Sequence, residues 1–72
     1  MKYAVIFERT QNGWSAHVPD LPTVLVTGPP ELSAMRARVA SAIAFHVASL
    51  REDGEPVPEA TTHVEEIEAP AA

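Results

Sequence analysis

The hydrophobic period of this chain changes once, at Glu31, and that single change restricts the folds open to it. Beyond Glu31 the residues Leu32, Met35, Val39, Ile43, His46, Val47 and Leu50 recur at spacings of three and four. That spacing lines one face of a helix and predicts a helix over residues 31–52 whose apolar stripe covers another layer. Before Glu31 the period is two. "KYAVIFE" alternates Tyr3, Val5 and Phe7 with Ala4 and Ile6, so both faces are apolar, as in an inner strand. "WSAHV" sets Trp14, Ala16 and Val18 on one face and Ser15 and His17 on the other. Asn12-Gly13 between them signals a tight hairpin turn. Pro19 ends the second strand, "PDLP" makes a turn or bulged corner, "TVLVT" is a third strand, and Gly28-Pro29-Pro30 closes it. Three consecutive strands with short connections predict an antiparallel meander.

The far end of the helix is marked just as sharply, by "LREDGEPVPEA" at Leu50 to Ala60. Asp53-Gly54 stops the helix, and two prolines make "EPVPE" an extended connector. Glu31 in the first turn and Arg51 in the last suit the helix dipole, and Pro30 is tolerated at a helix start. "THVEEIE" then predicts a fourth strand carrying Val64 and Ile67, whose spacing of three calls for a bulge or an edge position. The expected architecture is α+β, in the order β-β-β-α-β, with the helix on one face of the sheet. If the last strand lies beside the first, its crossover should be right-handed. One domain over residues 1–69 is expected, with residues 70–72 fraying.

At 72 residues a chain buries only about 60% of the surface its unfolded form exposes. Domains of this size lean on staples or partners. No cysteine is present, so neither a disulfide nor a thiolate metal site supplies the support, and oligomerisation is the expected remedy. Ala37, Ala44 and Ala48 lie away from the main stripe with Phe45 beside them, and they are the candidate oligomer interface. Good helix formers on an exposed face give the same alanine pattern without any partner. No apolar run approaches the roughly 20 residues that span a bilayer, and "MKYAVIFERT" lacks a signal-peptide pattern. A cytoplasmic protein is expected.

Charge is divided along the chain. Residues 1–50 carry Lys2, Arg9, Arg36 and Arg38 against Glu8, Asp20 and Glu31, a net of +1. Residues 51–72 carry Arg51 against Glu52, Asp53, Glu55, Glu59, Glu65, Glu66 and Glu68, a net of −6, and the two parts make the overall −5. An acidic final third repels phosphate and favours a basic partner, so direct nucleic-acid binding is not expected. A solvated surface has the same composition.

Taken together, "MKYAVIFERTQNGWSAHVPDLP", "AIAFHVASLREDGEPVPE" and "HVEEIE" resemble the HicB-like antitoxins, a family with a partial RNase H-like β-β-β-α-β fold. The resemblance spans essentially the whole chain. It is sharpest in the opening strand and hairpin, the "VPDLP" corner at Val18 to Pro22, and "LREDGEPVPE" at Leu50 to Glu59. Two places depart from the family pattern. Thr23-Val24 stands where Gly-Cys usually continues the corner, and "PPELSA" stands where Thr-x-Glu-Glu-Ala usually begins the helix.

The resemblance implies a protein that binds and neutralises a small basic RNA-cleaving toxin, HicA-like, with a double-stranded-RNA-binding fold. Many members add a C-terminal DNA-binding segment, and none is expected here. Partner contacts are expected at Trp14, Asp20 and Pro22, and at Glu52, Asp53, Glu55 and Glu59 along the acidic connector. A rigid extended segment loses little entropy when it is immobilised on a partner. The same segment also serves a purely architectural purpose, stopping the helix and routing the chain.

Catalysis is not expected. True RNase H enzymes hold two metal ions in a carboxylate cluster, whereas Glu8 and Asp20 sit at strand ends and no acid interrupts the helix between Glu31 and Glu52. His17, His46 and His63 lack ligand spacing, so neither a metal nor another cofactor is expected. A stand-alone oligomeric scaffold or small-ligand-binding protein of the same fold is the alternative to the antitoxin.

Overall fold

The computed structural model describes residues 1–71. Strands β1 (Ile6–Arg9), β2 (Trp14–Val18) and β3 (Leu21–Gly28) precede one helix, α1 (Leu32–Glu52). The strands form an antiparallel sheet in the order β1-β2-β3, so the α+β class and the meander stand as read from the period.

Register explains which residues are inside. Phe7, Ala16 and Val26 lie in one row across the three strands, and Ile6, His17 and Leu25 in the next. Successive rows point to opposite faces. The first row joins the core with Val18, Leu21, Val24, Met35 and Val39, the last two reaching down from α1. The second row faces away from the helix, and Leu25 is exposed there. Met35 and Leu21 are wholly buried where α1 crosses the sheet. The rest of the predicted stripe, Leu32, Ile43, His46, Val47 and Leu50, is half-buried along the same helix face.

Four expectations need correction. First, β1 begins at Ile6 rather than at Lys2. Ile6 pairs with His17, which leaves only Val18 and the imino nitrogen of Pro19 opposite the residues before it, and a proline donates nothing to a ladder. Second, the β1–β2 loop runs from Thr10 to Gly13 between the paired Arg9 and Trp14, closed by Thr10 N–H on the Gly13 carbonyl at 2.9 Å. Neither Asn12 nor Gly13 takes a positive φ, so the connection is a four-residue loop and not the tight Asn12-Gly13 turn expected. Gly13 is required by crowding instead, because a Cβ there would lie 2.0 Å from the Gly28 carbonyl oxygen.

Third, Glu31 is the N-cap, not a first-turn residue, and it makes no side-chain cap bond. Its carbonyl still accepts the first helical bond, from Met35 N–H at 3.1 Å. Fourth, the predicted fourth strand is not formed. Residues 55–71 pair with no strand, and Val64 and Ile67 are 59% and 87% exposed. β1, read as an inner strand, is therefore an edge. Of the expected fray at 70–72, Ala72 lies outside the described residues.

The stop at the C-terminus of α1 is as predicted. Gly54 N–H donates to the Arg51 carbonyl at 3.2 Å and Glu55 N–H to the Leu50 carbonyl at 2.8 Å, with Gly54 at φ +69. This is the paired 5→2 and 6→1 pattern of a Schellman cap, in which a left-handed glycine turns the chain back and satisfies the last carbonyls.

Candidate functional site

The features singled out in the sequence collect at the two ends of the sheet. Trp14 sits at the start of β2, beside the N-terminus of α1. Its Nε1–H donates to the Pro30 carbonyl at 2.9 Å, the Arg9 guanidinium lies 4.7 Å from the ring centroid, and Phe7 meets it edge-on at 6.4 Å. Trp14 thus fastens the β3–α1 connection while remaining only partly buried.

At the other end the β2–β3 turn meets the acidic connector. Val18 pairs with Leu21 around Pro19-Asp20, and Pro22, Thr23 and Val24 are then looped out before Leu25 rejoins His17. This bulge absorbs Pro22, which a regular ladder would not tolerate. It also brings the Thr23 hydroxyl within 3.4 Å of His46 Nε2 on the helix.

Asp20 does more than mark the turn. Its Oδ2 accepts the N–H groups of Thr61 and Thr62, each at 3.1 Å, and its Oδ1 accepts their hydroxyls at 3.2 and 2.8 Å. Bonds to the ionised carboxylate favour it. The Thr62 N–H and then the Thr62 hydroxyl hold the Asp20 carboxyl below its ordinary value against an opposing effect of desolvation, with lesser help from the Thr61 hydroxyl and N–H.

Tyr3 supplies the other anchor, its hydroxyl donating to the Pro58 carbonyl at 2.6 Å. Between the cap at Gly54 and the Asp20 clamp, the connector is therefore tied at three places. Pro58 is held ahead of β1 and Thr61–Thr62 at the β2–β3 turn, so the chain crosses the end of the sheet and leaves the outer edge of β1 behind. The final segment is not paired with β1 of its own chain.

The candidate contact residues are thereby divided. Asp20, Pro22 and Glu59 lie at the clamped end, continuous along the chain with Glu55, Asp53 and Glu52 at the end of α1. Trp14 stands at the opposite end of β2. Glu52, Asp53, Glu55 and Glu59 are all exposed, and among the described residues the ionic contacts are His17 with Glu8 at 3.9 Å and His63 with Glu65 at 2.8 Å. Among the described residues none of the four connector carboxylates makes an ion pair. Ala37, Ala44, Phe45 and Ala48 are exposed on the outer side of α1, Phe45 by 76%. Among the described residues no three acids or histidines gather in metal-binding geometry.

Tyr3, Thr61 and Thr62 were not foreseen as site residues. A threonine pair after a proline-rich run has many uses, and nothing in the spacing links it to an aspartate some forty positions earlier. Among the described residues, no helix is long and apolar enough to cross a membrane. Comparison with family models, with curated proteins and with solved structures gave no match.

Proposed function

We propose that this protein is a HicB-like antitoxin that acts in the cytoplasm by binding and neutralising a small basic RNA-cleaving toxin. One observation carries the reading: the connector presents four exposed carboxylates without internal counterions on a segment tied at both ends. Glu52 and Asp53 end α1, where the helix dipole disfavours negative charge by about 0.3–1 kcal/mol for each group, and only Arg51 offsets them there. An external cation turns that arrangement into a favourable one. A toxin that grips RNA presents lysine and arginine to phosphates, and a strip of carboxylates competes for the same surface and speeds encounter. Because Tyr3, Asp20 and Gly54 fix the strip beforehand, little ordering entropy is lost on binding.

Co-expression with a small basic protein encoded beside it, followed by co-purification and growth rescue, tests the reading. Wild type is expected to bind and rescue. A variant with Glu52→Gln, Asp53→Asn, Glu55→Gln and Glu59→Gln is expected to bind at least tenfold more weakly and to lose most of its salt dependence. Failure of wild type to bind removes the antitoxin reading. Undiminished binding by the variant moves the contact away from the connector.

A further inference from the structure

The segment beyond the Asp20 clamp is apolar at Val64 and Ile67, exposed, and unpaired. It also leaves the body of the domain. A compact chain of this length has a radius of gyration near 11 Å, whereas this one has 14.3 Å and a longest dimension of 51 Å. The 21 residues of α1 account for only about 32 Å of that length, and residues 63–69 are exposed throughout. β1, meanwhile, reads as an inner strand yet pairs on one side only. An open edge with apolar residues on both faces is a template for another strand.

We propose that residues 63–69 form a fourth strand on the outer edge of β1 in a second copy of this chain, and that the reciprocal exchange closes a two-fold dimer. Reciprocity pairs the tail and the β1 edge of each copy and closes the exchange at two chains.

Charge selects β1 over β3. The tail carries Glu65, Glu66 and Glu68, while Lys2 precedes β1 and Arg9 ends it, against Glu8 alone. β3 has no charged residue, and its edge is interrupted by Pro22 and the bulge, features that discourage strand addition. The Asp20 clamp directs the tail outward and so favours a partner over closure within the chain. Glu52, Asp53, Glu55 and Glu59 remain free, so this dimer is independent of the toxin reading and is tested without a toxin.

Sedimentation equilibrium on the purified full chain at micromolar concentration is the experiment. Wild type is expected to be dimeric. Val64→Pro with Ile67→Pro, which removes two strand donors and both apolar groups from a segment that holds no core residue, is expected to weaken association at least tenfold. The near-ultraviolet signal of Trp14 serves as the check that the fold persists.

A charge exchange locates the partner surface. Lys2→Glu with Arg9→Glu makes edge and tail both acidic, and Glu65→Lys with Glu66→Lys and Glu68→Lys makes both basic. Each variant alone is expected to be monomeric, and their mixture to form a heterodimer. A monomeric wild type, a dimer indifferent to the proline variant, a dimer lost instead with Phe45→Lys, or a mixture that stays monomeric would overturn the proposal.

Discussion

Replacing Gly13 by alanine and Gly54 by alanine applies the same chemical change to two glycines that the fold needs for different reasons. At Gly54 the backbone is left-handed, and a Cβ would meet nothing within 4 Å. The cost there is conformational, about 1–2 kcal/mol for a non-glycine residue in that region, reduced by roughly 0.5 kcal/mol because alanine narrows the unfolded ensemble. About 1 kcal/mol of destabilisation should remain.

At Gly13 the backbone is unstrained, but the added carbon would lie 2.0 Å from the Gly28 carbonyl oxygen, 3.0 Å from the Pro29 carbonyl carbon and 3.1 Å from that of Gly28. All three are backbone atoms beside the last ladder pair, Trp14 with Gly28, so no side chain can rotate away. The hairpin must withdraw by at least about 1 Å, since carbon–oxygen contacts settle only beyond about 3.3 Å. Overpacking of this kind costs typically 1–3 kcal/mol, and a backbone-to-backbone collision belongs at the upper end, about 3 kcal/mol. A domain of this size has about 4–11 kcal/mol in all.

Urea denaturation followed by the fluorescence of Trp14, the only tryptophan and the neighbour of Gly13, should read both changes. With a slope of roughly 1 kcal/mol/M, the midpoint should fall by about 1 M for Gly54→Ala and about 3 M for Gly13→Ala. A Gly13→Ala midpoint equal to or above that of Gly54→Ala would refute the crowding argument and restore the turn-type explanation.

Met35→Ala removes a wholly buried side chain from the centre of the helix–sheet contact and should cost about 2–5 kcal/mol, checked by the thermal midpoint. Trp14→Phe keeps the ring in the strand but loses the bond to the Pro30 carbonyl, and should cost about 1 kcal/mol in the same measurement. The Asp20 carboxyl is held below its ordinary value by Thr62 and Thr61, so its clamp is at full strength above the ordinary value of 3.8 and is lost as pH falls through the lower folded value. Amide protection, relative to the intrinsic exchange rate at each pH, of Thr61 and Thr62 should therefore hold steady from neutral pH to about 4, and fall below it. Asp20→Asn should give the released spectrum at every pH, and a Thr61–Thr62 signal unaltered by that substitution would remove the clamp.

The helix was readable in the sequence because its signals are local. A stripe at spacings of three and four, and a glycine placed to take a left-handed turn, act within a few residues, and α1 and its Schellman cap followed from them. The second strand was readable for the same reason, since Trp14, Ala16 and Val18 alternate cleanly and Ala16 and Val18 are buried. Other features depend on what lies opposite in space. The start of β1 was set by where β2 stops, and the need for Gly13 by the nearness of Gly28, fifteen residues further along the chain.

The acidic connector could be read as extended from its prolines. Its anchoring could not, because the carboxylate of Asp20 meets Thr61 and Thr62 only after the sheet and helix have brought distant segments together. The β-capable run at residues 63–69 was likewise visible as a strand, but a strand needs a partner edge. Sequence alone determined the period, the breaks and the charge of each segment, because those are properties of neighbouring residues. Tertiary structure alone decided which edge stays open and which carboxylate is spent inside the chain, because hydrogen bonds between remote segments exist only once the core has formed.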